Sequence, residues 1–322
     1  MGSFWDGYPE LERELEDVRS LILDRASTDD RDVRAAIDHL LSASGKMLRP
    51  AFVLLASRFG RADPGRTHRV AAAVEMLHMA TLVHDDIIDG ATRRRGVATL
   101  NATAGARTAV LVGDWLLASS VSLIVDLGET QDARALAAIT ARICAGEISQ
   151  ATDRGVVHTS VRRYLRRIAA KTAALFSLSF YVGARESGCQ EQISAVLRRL
   201  GYCLGMGFQI IDDILDFQAE GARTGKPTGT DLGQGIYTLP VILALRAESG
   251  PRIRAALRHP PRSSRAIARA AGLVRNAGGI EAARRVAEAY TERSLREISR
   301  LPATDTRLTL EGVTARLLHR DY

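Results

Sequence analysis

Apolar positions recur every three or four residues through most of this chain. Val70, Val74, Leu77 and Ala80 form one such stripe, and Ile193, Leu197, Leu200 and Leu204 form another. That period marks a helix face turned toward a core. Alternation of apolar and polar residues, the mark of a half-buried strand, is rare. Ala, Leu, Arg and Glu dominate, and all are good helix formers. Glycine and proline punctuate the pattern at 60–65, 96–105, 155–159, 221–235 and 250–263, which read as loops. The pattern predicts an all-α protein of roughly ten or more helices joined by short loops. No linker, low-complexity tail or tandem repeat divides it, so residues 1–322 are expected to form a single domain.

Composition adds limits to that picture. The 322 residues are 46% hydrophobic, enough for a large core, and only 5% aromatic, low for a sheet protein. A formal charge of +7 fits an anionic partner, whether nucleic acid, an acidic membrane surface or a phosphorylated small molecule, and does not choose among them. The three cysteines, Cys144, Cys189 and Cys203, lie far apart and form no CxxC pair. With an odd cysteine count and an acidic, amphipathic start rather than a leader, a reducing, cytoplasmic setting is expected. No run of about 18 uninterrupted apolar residues predicts a transmembrane helix.

One internal echo carries chemistry. Asp85-Asp86-Ile87-Ile88-Asp89 and Asp212-Asp213-Ile214-Leu215-Asp216 both read DDxxD, each inside an apolar helical stretch. Residues four apart share a helix face, so Asp85 lies over Asp89 and Asp212 over Asp216. Such pairs repel unless a cation intervenes. Mg²⁺ takes oxygen ligands, commonly one or two carboxylates together with substrate phosphates. A single cluster would read as a solvated acidic edge; two copies flanked by Ile and Leu point to metal sites, because carboxylates near a core need compensation.

Basic residues accompany the acidic ones. Arg93-Arg94-Arg95-Gly96 follows the first cluster, and Gly45-Lys46-Met47-Leu48-Arg49-Pro50 lies upstream, with Lys46 and Arg49 on one helical face. Guanidinium suits phosphate because it is planar and can bond it bidentately. Each stretch alone would pass for an exposed basic loop. Lys171-Thr172 and the glycine-rich 225–231 segment, with Lys226, lie downstream; the latter lacks the spacing of a P-loop. No Ser-His-Asp or Cys-His nucleophile pattern is present. Metal-binding acids plus scattered cations imply a diphosphate held from two sides.

Taken in order, these parts resemble the trans-polyprenyl diphosphate synthases, and the long-chain heptaprenyl type most. The match runs through GKMLRP, the LHMATLVHDDIID run from Leu77, RRG, GEISQ at Gly146–Gln150, KT, GMGFQIIDDILDF from Gly205 to Phe217, GKPTGTDL from Gly225 and TLP at Thr238–Pro240. The resemblance implies helices around a deep central cavity, usually in a homodimer, with a second kind of subunit also possible. It implies Mg²⁺ held by Asp85 and Asp89 and by Asp212 with Asp216 assisting, Asp86 and Asp213 standing behind them. Lys46, Arg49, His78 and Arg95 would hold isopentenyl diphosphate. Arg94, Lys171, Thr172, Gln209 and Lys226 would hold the allylic diphosphate. Without the resemblance His78 would read as a core histidine and Gln209 as a buried amide. Catalysis would rest on Asp85, Asp89, Arg94, Lys171 and Asp212, through ionisation, condensation and elimination. The family often has Lys after the glycine that is Gly235 here; Ile236 takes that place, so one cation on the phosphate side is missing.

Product length in such an enzyme follows cavity depth. A helix climbs about 5.4 Å per turn, comparable to one isoprene unit. Ala80 and Thr81, one turn before Asp85, are small and leave the floor open, and Ala118, Ser119 and Ser120 fit the same role on a neighbouring helix. A long-chain product is therefore expected, a shorter geranylgeranyl or farnesyl chain being the alternative. A class I terpene cyclase is disfavoured because the second metal motif is a second DDxxD. A noncatalytic partner subunit is disfavoured because both clusters are intact, and nucleic-acid binding because no recognition motif accompanies the charge. Residues 241–322 suggest packing and surface only.

Overall fold

A computed structural model describes residues 4–26, 31–43, 45–128, 130–157, 160–218, 229–261 and 263–318. Sixteen α-helices are found among them. The first six are α1 (Pro9–Arg25), α2 (Arg31–Ser42), α3 (Leu48–Ser57), α4 (Pro64–Ile88), α5 (Leu100–Thr103) and α6 (Gly105–Val125). Next come α7 (Thr130–Thr152), α8 (Val161–Ile168), α9 (Ala174–Glu186), α10 (Glu191–Gln218) and α11 (Thr230–Gln234). The last are α12 (Leu239–Ala244), α13 (Gly250–Ala256), α14 (Ser264–Asn276), α15 (Gly279–Ile298) and α16 (Asp305–Leu318). A π-helical segment, Ala169–Ala173, joins α8 to α9, and β1 (Arg93–Arg94) pairs antiparallel with β2 (Val97–Ala98).

The chain groups into two compact units. One comprises Met1–Thr140, Leu178–Arg198 and Thr304–Thr309; the other comprises Ala141–Ser177, Arg199–Ala303 and Leu310–Tyr322. In the first, α4 is the central element. Its run from Val70 to Leu77 is buried on every side, including the one acid, Glu75, as expected of a helix that is apolar all round. It packs against α6, α3 and α1. Asp63 starts it by accepting the Arg66 N–H at 3.2 Å, with Pro64 in the first turn. Ser120 Oγ of α6 donates to the Ala73 carbonyl at 2.8 Å, tying the two helices at mid-length. Phe52 and Phe180 stack at 4.7 Å. By length and composition α6 alone among the described helices could cross a membrane, but 39% of its apolar stretch is buried inside the fold.

In the second unit α12 packs on α15, and α14 meets α11, α12, α13 and α15. A Cβ on Gly205 of α10 would come within 2.6 Å of the Ala173 backbone, so glycine is what lets α10 lie against the π-helical segment. Phe176 and Phe208 tilt together beside it at 5.4 Å.

Three predicted loops differ. Within 96–105 the chain completes a hairpin and adds the one-turn helix α5, 221–235 contains the short helix α11, and 250–263 opens with α13, which has Pro251 in its first turn. Helices of seven residues or fewer show under two apolar repeats, so periodicity cannot reveal them. Residues 158–159, 221–228 and 262 of the predicted loops lie outside the described residues.

Candidate active site

Both acidic clusters close long helices. Asp85 and Asp86 sit in the last turn of α4, and Asp89 is its C-cap, with its N–H donating to the Asp85 carbonyl at 2.8 Å. Asp212, Asp213 and Asp216 occupy the last two turns of α10. A helix C-terminus carries about half a negative charge, so a carboxylate there costs roughly 0.3–1 kcal/mol rather than gaining it. Both clusters therefore stand where a cation is most needed, and their donors are all oxygens, as a hard divalent ion requires. Among the described residues no three His, Cys, Asp or Glu side chains converge into a cage of their own.

The three acids of each motif are not equivalent. Asp86 is buried and takes Arg94 in a fork, with Nε at 2.9 and 3.1 Å from its two oxygens and Nη2 at 2.8 Å. Arg94 reaches it because β1 and β2 form a hairpin whose two central residues, Arg95 and Gly96, both have positive φ, 51° and 83°, the pattern of a type I′ turn. Three consecutive arginines thus separate: Arg94 turns in to Asp86, while the Arg95 guanidinium lies against Gly45, where a Cβ would collide with it.

Lys46, Arg49, His78 and Arg95, expected to hold one diphosphate, all belong to the first unit. Burial lowers the Arg49 guanidinium to about 10, partly offset by Glu75, so it stays charged at neutral pH. Burial pushes the Glu75 carboxyl up against the pull of Arg49 and Arg95. His78 is held well below the ordinary histidine range by burial and by Arg49, Arg95 and Arg94, which favours the neutral imidazole. Glu75 was not singled out in the sequence, although a lone acid within AAAVEMLHMA was a visible signal.

In the second unit Asp213 is buried and pushed up to about 7, chiefly by burial. Tyr164 donates to it at 2.6 Å and the Gln209 amide at 2.9 Å, while Thr172 donates to Gln209 Oε1 at 2.6 Å. The backbone N–H groups of Thr230 and Asp231 donate to Asp216 at 3.1 and 3.2 Å, so this carboxylate caps α11. Asp231, close to Asp216, is raised well above the carboxylate range by burial and by that neighbour. Lys171 rides on the π-helical segment, a feature often found at functional sites, and pairs with Glu147 at 2.6 Å. Glu147 reaches it because Gly146 lets α7 approach Ala170 and Lys171 closely, which gives the GEISQ stretch its physical meaning. Lys226 lies outside the described residues. Tyr164, Asp231 and Glu147 were not foreseen as partners, because each acts across the fold.

Ala80 is buried, and Thr81 donates to the His78 carbonyl at 2.7 Å. Ser119 and Ser120 are buried on α6, whereas Ala118 is exposed and does not face α4.

A family description, polyprenyl synthetase, matches residues 30–274. The chain belongs to the polyprenyl synthetase family. This synthase is 40% identical over 286 residues to heptaprenyl diphosphate synthase component 2 of Geobacillus stearothermophilus, covering 88% of each chain. The heptaprenyl diphosphate synthase of Staphylococcus aureus superposes with a TM-score of 0.92 at 33% identity, over 97% of this chain and 99% of that one. A polyprenyl synthase from Caulobacter crescentus, solved with calcium and isoprenyl diphosphate, gives 0.90 at 33% identity, over 97% and 96%. The synthase is a prenyltransferase with the all-α fold of its relatives.

Proposed function

We propose that this synthase condenses isopentenyl diphosphate with an allylic diphosphate, using Mg²⁺, and repeats the step to a long-chain trans-polyprenyl diphosphate. The observation that carries the reading is the pair of carboxylate clusters on helix C-termini, each accompanied by cations in its own unit, Arg94 in one and Lys171 in the other. Mg²⁺, when bound by Asp85, Asp89 and Asp212, would offset the charge growing on the departing diphosphate. The calcium and isoprenyl diphosphate of the Caulobacter structure support a divalent ion with a prenyl diphosphate. Lys46, Arg49 and Arg95 fix isopentenyl diphosphate by charge, and neutral His78 by a hydrogen bond. Arg94, Lys171, Thr172 and Gln209 serve the allylic diphosphate. Lys226 is proposed for the same role from sequence alone. The carbocation would need shielding from water, which would quench it. The released diphosphate is proposed as the proton acceptor.

Long-chain output rests on the small residues Ala80 and Thr81 one turn before Asp85, and on the heptaprenyl relatives. We further propose one catalytic unit over 1–322, a cytoplasmic setting, and pairing of two copies through the outward face of α6, where Leu111 is 62% and Val125 56% exposed. The relative named component 2 makes a second kind of subunit a reasonable partner in place of a second copy. The purified chain should extend farnesyl diphosphate with labelled isopentenyl diphosphate and Mg²⁺ to one dominant length. Ala80→Phe should shorten that product by several isoprene units. An unchanged ladder sinks the length argument, and no extension without a second subunit shows that one is required.

A further inference from the structure

The segment Phe4-Trp5-Asp6-Gly7-Tyr8 takes no part in the reading above, yet it touches one of its residues directly. The Lys46 ammonium sits 4.3 Å from the centroid of the Phe4 ring. The Trp5 indole N–H donates to the Lys46 carbonyl at 2.7 Å across 41 residues of chain. Trp5 is 4% exposed and meets Phe4 edge to face at 4.8 Å and Tyr8 at 6.4 Å. The Tyr8 N–H closes a turn onto the Trp5 carbonyl at 2.6 Å, Pro9 then starts α1, and α1 packs on α3 and α4. The aromatic strap is thus anchored in the core of its unit.

We propose that Phe4 and Trp5 are positioning residues of the isopentenyl diphosphate subsite, holding the Lys46 ammonium and its backbone in place for the diphosphate. The inference rests on the assignment of Lys46 to that subsite. Lysine is a point charge on a flexible stem and loses much rotamer freedom when it binds; ordering it beforehand lowers that cost. An aromatic face does so without neutralising the charge. A carboxylate partner, such as Glu147 beside Lys171, must be traded against the incoming phosphate, whereas a ring need not be. The backbone needs the same help: Met47, next after Lys46, has a left-handed φ of 46° where α3 begins, a costly conformation for a non-glycine residue. Trp5 fastens the peptide just before that strained residue.

The test compares the full-length wild type with Phe4→Leu, Phe4→Tyr, Lys46→Ala and the Phe4→Leu/Lys46→Ala double variant. Calorimetry gives the dissociation constants for isopentenyl diphosphate and for farnesyl diphosphate, and steady-state kinetics give KM and kcat. Phe4→Leu is expected to weaken isopentenyl diphosphate about 3- to 10-fold, in Kd and KM rather than kcat, with farnesyl diphosphate unaffected. Phe4→Tyr should restore wild-type binding, and Phe4→Leu should add nothing once Lys46 is gone. Unchanged isopentenyl diphosphate affinity, equal weakening of both substrates, or the same loss in the Lys46→Ala background would overturn the inference while leaving the Lys46 assignment standing. If Lys46→Ala itself binds isopentenyl diphosphate normally, that assignment fails and the inference falls with it.

Discussion

The same five-residue pattern ends α4 and α10, yet the two ends are built differently. At the end of α4 the middle acid, Asp86, is matched by a full positive charge from Arg94. At the end of α10 the middle acid, Asp213, is held by a phenol and an amide and is raised to about 7. The third acid differs too: Asp89 caps its own helix, whereas Asp216 caps the next one, α11. A repeated motif therefore fixes where carboxylates stand on a helix, but not how their charge is balanced. At the first end, the charge balance brings in a hairpin arginine, which is also proposed to serve the allylic diphosphate. At the second, neutral hydrogen bonds tie the acid to Gln209 and through it to Thr172, both proposed for the same diphosphate.

The largest effects should come from the leading acids, where the two ends are expected to agree. Asp85→Asn and Asp212→Asn should each lower kcat on the order of a hundredfold or more, since each removes a group that stabilises developing charge. Metal-free protein should respond the other way. Relief of helix-dipole and four-apart repulsion should stabilise each variant by about 0.5–1 kcal/mol. Thermal melts with and without Mg²⁺ and inorganic diphosphate read both effects, with wild type gaining more from the ligands than either variant. Equal ligand gains in wild type and variant would mean that the acids are merely a solvated edge.

The middle acids should break the symmetry. Arg94→Ala leaves a buried carboxylate without its cation. Because the arginine is itself partly solvated, the cost should be about 1–3 kcal/mol rather than the full value for a buried pair. Tyr164→Phe removes a neutral donor from Asp213 and should cost about 1–2 kcal/mol. Asp86→Asn should destabilise more than Asp213→Asn, since the amide forfeits an ion pair in one place and only hydrogen bonds in the other. Urea unfolding of the four variants decides it; Asp213→Asn proving the costlier would reverse the assignment of charge.

Much of this was readable from the chain, for a definite reason. Periodicity and the four-apart spacing of Asp85 with Asp89 and Asp212 with Asp216 are local, so the long helices and the placement of both motifs on them follow from neighbours in sequence. What stayed hidden depends on contacts between distant residues. Tyr164 and Asp213 are 49 positions apart, and Trp5 and Lys46 are 41 apart. The hairpin that separates Arg94 from Arg95 has strands of two residues, too short for any pattern. Glu75 and the FWDGY stretch were anomalies of composition, an acid in an apolar run and clustered aromatics in an aromatic-poor chain. Such anomalies mark a position without naming its partner.

The smallest effect sharpens the comparison within α4, seven residues before its acidic end. His78 lies beside Arg49, Arg95 and Arg94, and burial together with these cations holds its imidazole neutral. In the unfolded chain the same imidazole titrates near 6.5. Above that pH neither state binds the proton, and folding is indifferent to it. As pH falls below 6.5 the unfolded chain takes up a proton that the folded chain refuses, so stability is lost until the folded value is reached. His78→Gln keeps a neutral hydrogen-bonding side chain and removes the titration. Wild type and variant should therefore lie closest to their intrinsic difference at pH 8, and wild type should lose ground relative to the variant from pH 7 to pH 5. Denaturant midpoints across that window measure the difference. Parallel pH profiles would show that His78 takes up its proton as readily in the fold as in the unfolded chain, and that burial and the neighbouring cations do not hold it neutral.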